Sequence, residues 1–94
     1  MILHVTDAIY LDGYKVKVFF NDDRQGVANL SDTLYGPVFE PLKEKSFFAQ
    51  LSVDEELGTI TWPNGADLAP EYLYFQAFKD DHLLQAQFRR WGYV

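Results

Sequence analysis

The stretch LDGYKVKVFF, residues 11–20, decides the fold class. Its Asp12-Gly13 pair is a turn signal, because glycine adopts positive φ without a steric cost. Beyond the turn, apolar residues alternate with lysines, so that one face holds Tyr14, Val16, Val18 and Phe20 and the other holds Lys15 and Lys17. This period of two is typical of a strand with one buried face. Because residues 3–10 are also rich in strand formers, we predict a β-hairpin.

The rest of the chain continues with short strands and helices. Residues 27–32 predict a third, short strand, and residues 51–53 and 59–62 predict a second hairpin that turns at Gly58. Helices are predicted over residues 40–50, 70–78 and 80–91. Pro41 and Pro70 suit the first turns of the first two helices. Asp80 or Asp81 can cap the start of the last helix, and Gly92 can end it.

Together these elements predict an α+β fold. We expect a mostly antiparallel sheet of about five strands, built from two hairpins and a short strand, with two or three helices on one face. Residues 1–94 form a single domain, in which residues 78–94 are a C-terminal helical tail.

Composition excludes several classes of function. The chain has no cysteine, which excludes disulfides, thiolate nucleophiles and cysteine-based metal sites. Its net charge of −6 opposes non-specific binding to nucleic acids and anionic membranes. No signal peptide and no membrane span is apparent, so we expect a cytoplasmic protein. Eight Phe, six Tyr and two Trp are many for 94 residues, and some are expected at an interface.

No pattern of residues indicates catalysis. The two histidines, His4 and His82, stand apart, the glycines are isolated, and no nucleophile motif occurs. Acidic groups at residues 22–23, 54–56 and 80–81 are typical of solvated faces or helix caps rather than of metal sites. We therefore predict a protein that is not an enzyme, with no catalytic residue, no metal and no cofactor.

The loop ITWPNGADLAP, residues 60–70, is the most unusual stretch. Asn64-Gly65 predicts a tight turn, since both residues tolerate positive φ. Asp67 could accept backbone N–H groups in an Asx-turn or as the N-cap of the helix that Pro70 begins. Trp62 and Asp67 are the residues whose side chains could be spared for a function.

Two motifs carry a resemblance to a known family. Phe39-Glu40-Pro41-Leu42 and the run VDEELGTITWPNGADLAP, residues 53–70, resemble those of an uncharacterised bacterial family, domain-of-unknown-function family 2442. The resemblance covers residues 5–74 and implies a small α+β domain without an established activity. Some family members carry a C-terminal helix-turn-helix, and others are encoded beside a second small protein in pairs similar to toxin–antitoxin modules.

We therefore expect a protein-interaction domain, the antitoxin-like or partner half of a two-gene bacterial module, and a homodimer is plausible. About 20 residues follow Tyr74, fewer than a helix-turn-helix domain needs, which favours a protein partner over DNA. The candidate contact residues are Trp62, Asn64, Asp67, Tyr72 and Tyr74.

Two alternatives stay open. A dimeric DNA-binding regulator would use Arg89, Arg90, Lys15 and Lys17 for phosphate contacts. A small ligand-binding protein or enzyme would use the Trp62–Asp67 loop together with His4 or an acidic pair.

Overall fold

A three-stranded antiparallel sheet forms the N-terminal part of the fold. The structure, a computed structural model, describes residues 2–94. Strands β1 (Val5–Asp12), β2 (Lys15–Phe20) and β3 (Gln25–Asn29) pair in the order β1-β2-β3. Val16, Val18 and Phe20 are buried. The predicted hairpin is thus confirmed, with β1 and β3 each beginning and ending two or three residues away from the predicted bounds.

A second, two-stranded sheet follows, made of β4 (Ser52–Asp54) and β5 (Thr59–Thr61). Its turn is held by the Asp54 carboxylate, which accepts hydrogen bonds from the backbone N–H of Glu56 and of Leu57. Gly58 ends the turn with φ 68°, as the sequence predicts. The Val5 N–H donates a 2.8 Å hydrogen bond to the Gly58 carbonyl and so ties the two sheets together.

The helices are α1 (Lys45–Phe48), α2 (Pro70–Phe78) and α3 (Gln85–Trp91). The predicted continuous helix over residues 40–50 is wrong. A 3₁₀ turn at Glu40–Lys43 and the single-turn helix α1 are separated by Glu44, whose ψ of 114° is extended. Leu42 and Phe48 are both buried. Six residues apart, they would lie about 120° from each other around one continuous helix. With the break at Glu44, both side chains are buried.

All three helices lie on the same side of the three-stranded sheet. Phe48 in α1 contacts Tyr10 and Tyr14, and Tyr74 in α2 contacts Phe20 with 4.9 Å between ring centroids. Helix α3 packs on α2 rather than on the sheet, through the Phe75–Phe88 ring pair. The α+β class, the five strands and the one-sided helical layer are therefore confirmed, and the strands are divided between two sheets.

The C-terminal tail has the predicted caps. Asp81 accepts a hydrogen bond from the Leu83 N–H at the start of a 3₁₀ turn, His82–Leu84, that leads into α3. Gly92 ends α3 in the left-handed conformation, and the Tyr93 N–H bonds the Phe88 carbonyl. Across residues 2–94, no helix is both long and apolar enough to span a bilayer.

Candidate functional site

The loop from Trp62 to Asp67 begins with a buried anchor. Trp62 is only 3% exposed, and its indole Nε1 donates a 2.9 Å hydrogen bond to the carbonyl of Phe48. The chain then reverses in a tight turn, which is closed by backbone hydrogen bonds from Gly65 N to Trp62 O and from Trp62 N to Ala66 O. The Trp62 side chain is therefore occupied with holding α1, and it offers neither surface nor a free donor to a ligand.

Asn64 fastens the turn to a distant segment. Its Nδ2 donates to the carbonyl of Val38 at 2.9 Å, and its Oδ1 accepts from the Ala66 N–H at 3.2 Å. Gly65 supplies the positive φ of 87° that the Asn-Gly pair predicts. The Asn64 amide is thus committed to structure, because both of its polar atoms are engaged.

The structure places Asp67 differently from its predicted role. The N-cap of α2 is Ala69, with no side-chain capping bond, so the predicted capping by Asp67 is wrong. Helix α2 begins at Pro70, so Asp67 lies two residues before the N-cap position, and the backbone of Asp67 instead forms a β-bridge with Thr61. Within residues 2–94 its exposed carboxylate makes no hydrogen bond and no ion pair.

The two candidate tyrosines lie on different faces of α2. Tyr74 is buried, and its hydroxyl donates a 2.7 Å hydrogen bond to the Asp22 carboxylate. Burial and then this hydrogen bond raise the pKa of Tyr74 to about 12. Tyr72 is half-buried, and its hydroxyl is held by Thr33 Oγ1 at 2.8 Å and by Gln76 Nε2 at 3.0 Å.

Asp67 and Tyr72 are the two predicted residues that the structure brings together. They line a groove of about 280 Å³ between the turn at residues 33–39 and the start of α2. We name it the Tyr35–Asp67 groove; its walls are formed by Thr33, Tyr35, Phe39, Asp67, Leu68, Ala69 and Tyr72. Trp62, Asn64 and Tyr74 do not line it.

Tyr35 is the residue that sequence reasoning missed. Its side chain is 73% exposed, whereas every other Phe, Tyr and Trp in the described part of the chain is buried or half-buried. The signal was a tyrosine next to Gly36-Pro37, in a turn that cannot bury it. Its nearness to Asp67 could not be found, because the two are far apart in sequence.

The residues that DNA binding or a ligand-binding site would need do not lie close together. Lys15 and Lys17 project from the sheet face opposite the helices, whereas Arg89 and Arg90 are exposed on α3. His4 lines a separate groove, with Val53, Glu55 and Gly58, and not the one beside Asp67. Over residues 2–94, no three His, Asp or Glu side chains cluster as a metal site would require.

Comparisons with known proteins place the chain in a family and identify its fold. Residues 5–79 match the model of a family described as "Protein of unknown function (DUF2442)". No curated protein matches the chain significantly. A similar solved structure is the crystal structure of NE0471 from Nitrosomonas europaea, described as a "Putative DNA Binding Protein". It aligns with 100% of this chain at a TM-score of 0.75 and 15% identity, which shows a shared fold. The chain spans 64% of that protein's length.

Proposed function

We propose that this chain, which belongs to the DUF2442 family of unknown function, is a non-enzymatic protein-interaction domain. In this proposal it is the antitoxin-like or partner half of a two-gene bacterial module, and the Tyr35–Asp67 groove receives the partner. The other half is the product of an adjacent gene.

One observation carries the proposal: an exposed aromatic side chain and a carboxylate with no partner line the same groove. Across residues 2–94 the other Phe, Tyr and Trp side chains are buried or half-buried, so the 73% exposure of Tyr35 stands out. Tyrosine is enriched among the residues that contribute most to protein interfaces. Within residues 2–94, the Asp67 carboxylate has no hydrogen bond or ion pair to lose when a partner binds.

The dimensions and chemistry of the groove fit side chains better than a substrate. Its volume of about 280 Å³ is at the lower end of small-molecule pockets, which span roughly 300–1,000 Å³. Asp67 is the one charged side chain in its wall, and the Thr33 hydroxyl is already bonded to Tyr72. Catalysis here would need a nucleophile and a general base within hydrogen-bond reach of each other. Within residues 2–94, Asp67 makes no hydrogen bond to a hydroxyl group of the groove.

The test is co-purification of the tagged chain with the product of the adjacent gene from the native host. We expect a complex, and we expect Tyr35→Ala to weaken it about tenfold or more, as loss of a central aromatic contact does. Glu55→Gln, a change at an exposed residue of the β4–β5 turn, is the matched control and leaves the affinity unchanged. Recovery of the wild-type chain alone under gentle conditions would count against the proposal.

A homodimer is part of the same proposal, and the uncovered face of the three-stranded sheet is the surface that supports it. Ile9, Lys17 and Val27 lie side by side across the three strands, and Ile9 and Val27 are about half exposed. Three strands at about 4.8 Å spacing offer much less than the roughly 800 Å² per partner of a stable interface. We therefore expect only a weak dimer, which sedimentation velocity across a concentration series would detect.

DNA binding is the second candidate, and the description of the Nitrosomonas europaea protein with the same fold supports it. Arg89 and Arg90 on α3 would make the phosphate contacts, since Lys15 and Lys17 face the other way. A mobility-shift assay with the gene's own promoter, over a salt series, decides the matter. A shift that weakens steeply with salt and is lost in an Arg89→Ala/Arg90→Ala variant would favour DNA.

A further inference from the structure

We propose that the Tyr35–Asp67 groove binds an arginine side chain supplied by the protein partner. The statement that a protein supplies this side chain rests on the proposed function. The preference of the groove for a guanidinium group rests on its own walls.

The negative charge of Asp67 in the groove would attract a cation. The carboxylate of Asp67 is exposed and unpaired among the described residues, and no lysine, arginine or histidine lines the groove. Ion pairs elsewhere in the described chain occupy other acids, namely Asp22, Asp81 and Glu40. A cation that enters the groove therefore displaces no internal partner, and it adds to a chain whose net charge is −6.

The aromatic walls favour the same ligand. Tyr35, Phe39 and Tyr72 all line the groove, and the electron-rich faces of such rings attract cations. Tyr72 is held in place, because Thr33 and Gln76 both bond its hydroxyl. A ring that is already ordered loses little conformational entropy when it receives a ligand, so its contact contributes more to affinity.

Arginine fits these walls better than lysine. A guanidinium group is planar, stacks on aromatic faces and can donate two parallel hydrogen bonds to one carboxylate. It is also less strongly hydrated than an ammonium group, so it enters a partly apolar groove at a lower desolvation cost. The groove of about 280 Å³ has room for one such side chain.

The experiment uses small probes and the whole chain. N-acetyl-arginine amide is titrated into the ¹⁵N-labelled protein and followed by backbone amide shifts, with N-acetyl-citrulline amide as the neutral probe of the same shape. We expect shifts confined to residues 33–39 and 67–72, weak for citrulline and intermediate for N-acetyl-lysine amide. Asp67→Asn should lower the affinity for arginine about fivefold, as loss of an exposed ion pair does.

The matched control is Glu56→Gln, which removes the same charge from an exposed position on the β4–β5 turn. Equal binding of citrulline and arginine, or an equal loss in the Asp67→Asn and Glu56→Gln variants, would overturn the inference. The two proposals fail separately: a partner captured by a chain that ignores arginine refutes only this inference. Arginine bound by a chain that purifies alone refutes only the proposed function.

Discussion

The indole Nε1 of Trp62 and the carbonyl of Phe48 are joined by a hydrogen bond of 2.9 Å, and the two rings pack with 5.6 Å between centroids. The carbonyl stands at the end of α1, where it also accepts a longer hydrogen bond, of 3.3 Å, from the Leu51 N–H. This one contact binds the tight turn after β5 to the short helix before β4, so the stability of both segments depends on it.

Replacing Trp62 with phenylalanine should therefore be costly. The variant keeps an aromatic ring but removes the N–H group and part of the buried volume, and we expect a loss of about 2–4 kcal/mol in the free energy of unfolding. Urea denaturation followed by circular dichroism measures it. Trp91→Phe is the control, because Trp91 is half-buried and its indole N–H bonds no residue within 2–94. Equal losses in both variants would contradict the role given to the Phe48 bond.

Asn64→Asp separates the two hydrogen bonds of the Asn64 amide. Aspartate keeps an oxygen for the Ala66 N–H but cannot donate to the Val38 carbonyl. We expect a loss of about 1 kcal/mol, typical of one exposed hydrogen bond, and a somewhat larger loss for Asn64→Ala. The amide shifts of residues 37–39 should move in both variants. A stability equal to that of the wild type would mean that the Val38 contact contributes nothing.

Because the pKa of the Tyr74 hydroxyl is raised, we expect the protein to lose stability in alkaline solution. Burial, and then the hydrogen bond to Asp22, raise its pKa to about 12 in the folded chain, against about 10 in the unfolded chain. Between these values the unfolded state binds fewer protons, so stability is full below pH 10 and falls as the pH rises toward 12. Tyr74→Phe should be less stable than wild type at neutral pH, and the difference should narrow above pH 10. A constant difference across this range would contradict the raised pKa.

Gly26→Ala tests the packing of β3 against α2. A Cβ atom at residue 26 would lie 2.8 Å from Cε1 of Phe78 and 3.2 Å from Cβ of Ala77. We expect a cost of about 1–3 kcal/mol, typical of an overpacked core. In a Phe78→Leu background the same substitution should cost clearly less, because the nearest contact is gone. An unchanged cost would place the strain in the backbone instead.

Asp67→Asn should leave stability within about 0.5 kcal/mol of wild type, because its carboxylate holds nothing in the described chain. Asp22→Asn is the contrast, because Asp22 accepts hydrogen bonds from the Tyr74 hydroxyl and the Arg24 N–H. We expect this second variant to lose about 1–2 kcal/mol. Thermal melts of the two variants side by side measure the difference. A large loss in Asp67→Asn would show a structural role that conflicts with its place in the proposed groove.

The hairpin over residues 5–20 could be predicted because its signals are local: an Asp-Gly turn and a period of two. The break at Glu44 could not, since nothing near it in sequence shows that Leu42 and Phe48 must both be buried. The capping role of Asp67 failed for a similar reason. Its backbone pairs with Thr61, and that pairing fixes where the chain runs before α2 begins.

The candidate site was predictable only in part. The pattern of residues 62–67 singled out a loop that contributes Asp67 to the groove, but it could not tell an anchored side chain such as Trp62 from an unbonded one such as Asp67. Tyr35, which also lines the groove, stands in a turn more than thirty positions before Asp67 in the sequence. Tyr74 finds its partner Asp22 across 52 positions. Distances of this kind depend on the packed sheet and helices, which no short stretch encodes.

The bond from Asn64 to Val38 has a consequence for how this family can vary. The amide side chain of Asn64 contacts the main-chain carbonyl of Val38, and the valine side chain is half exposed. Every amino acid carries that carbonyl, so residue 38 can change freely while residue 64 cannot. Correlated substitutions between the two positions should therefore be absent, and methods that infer contacts from covariation would overlook the joint between these two segments.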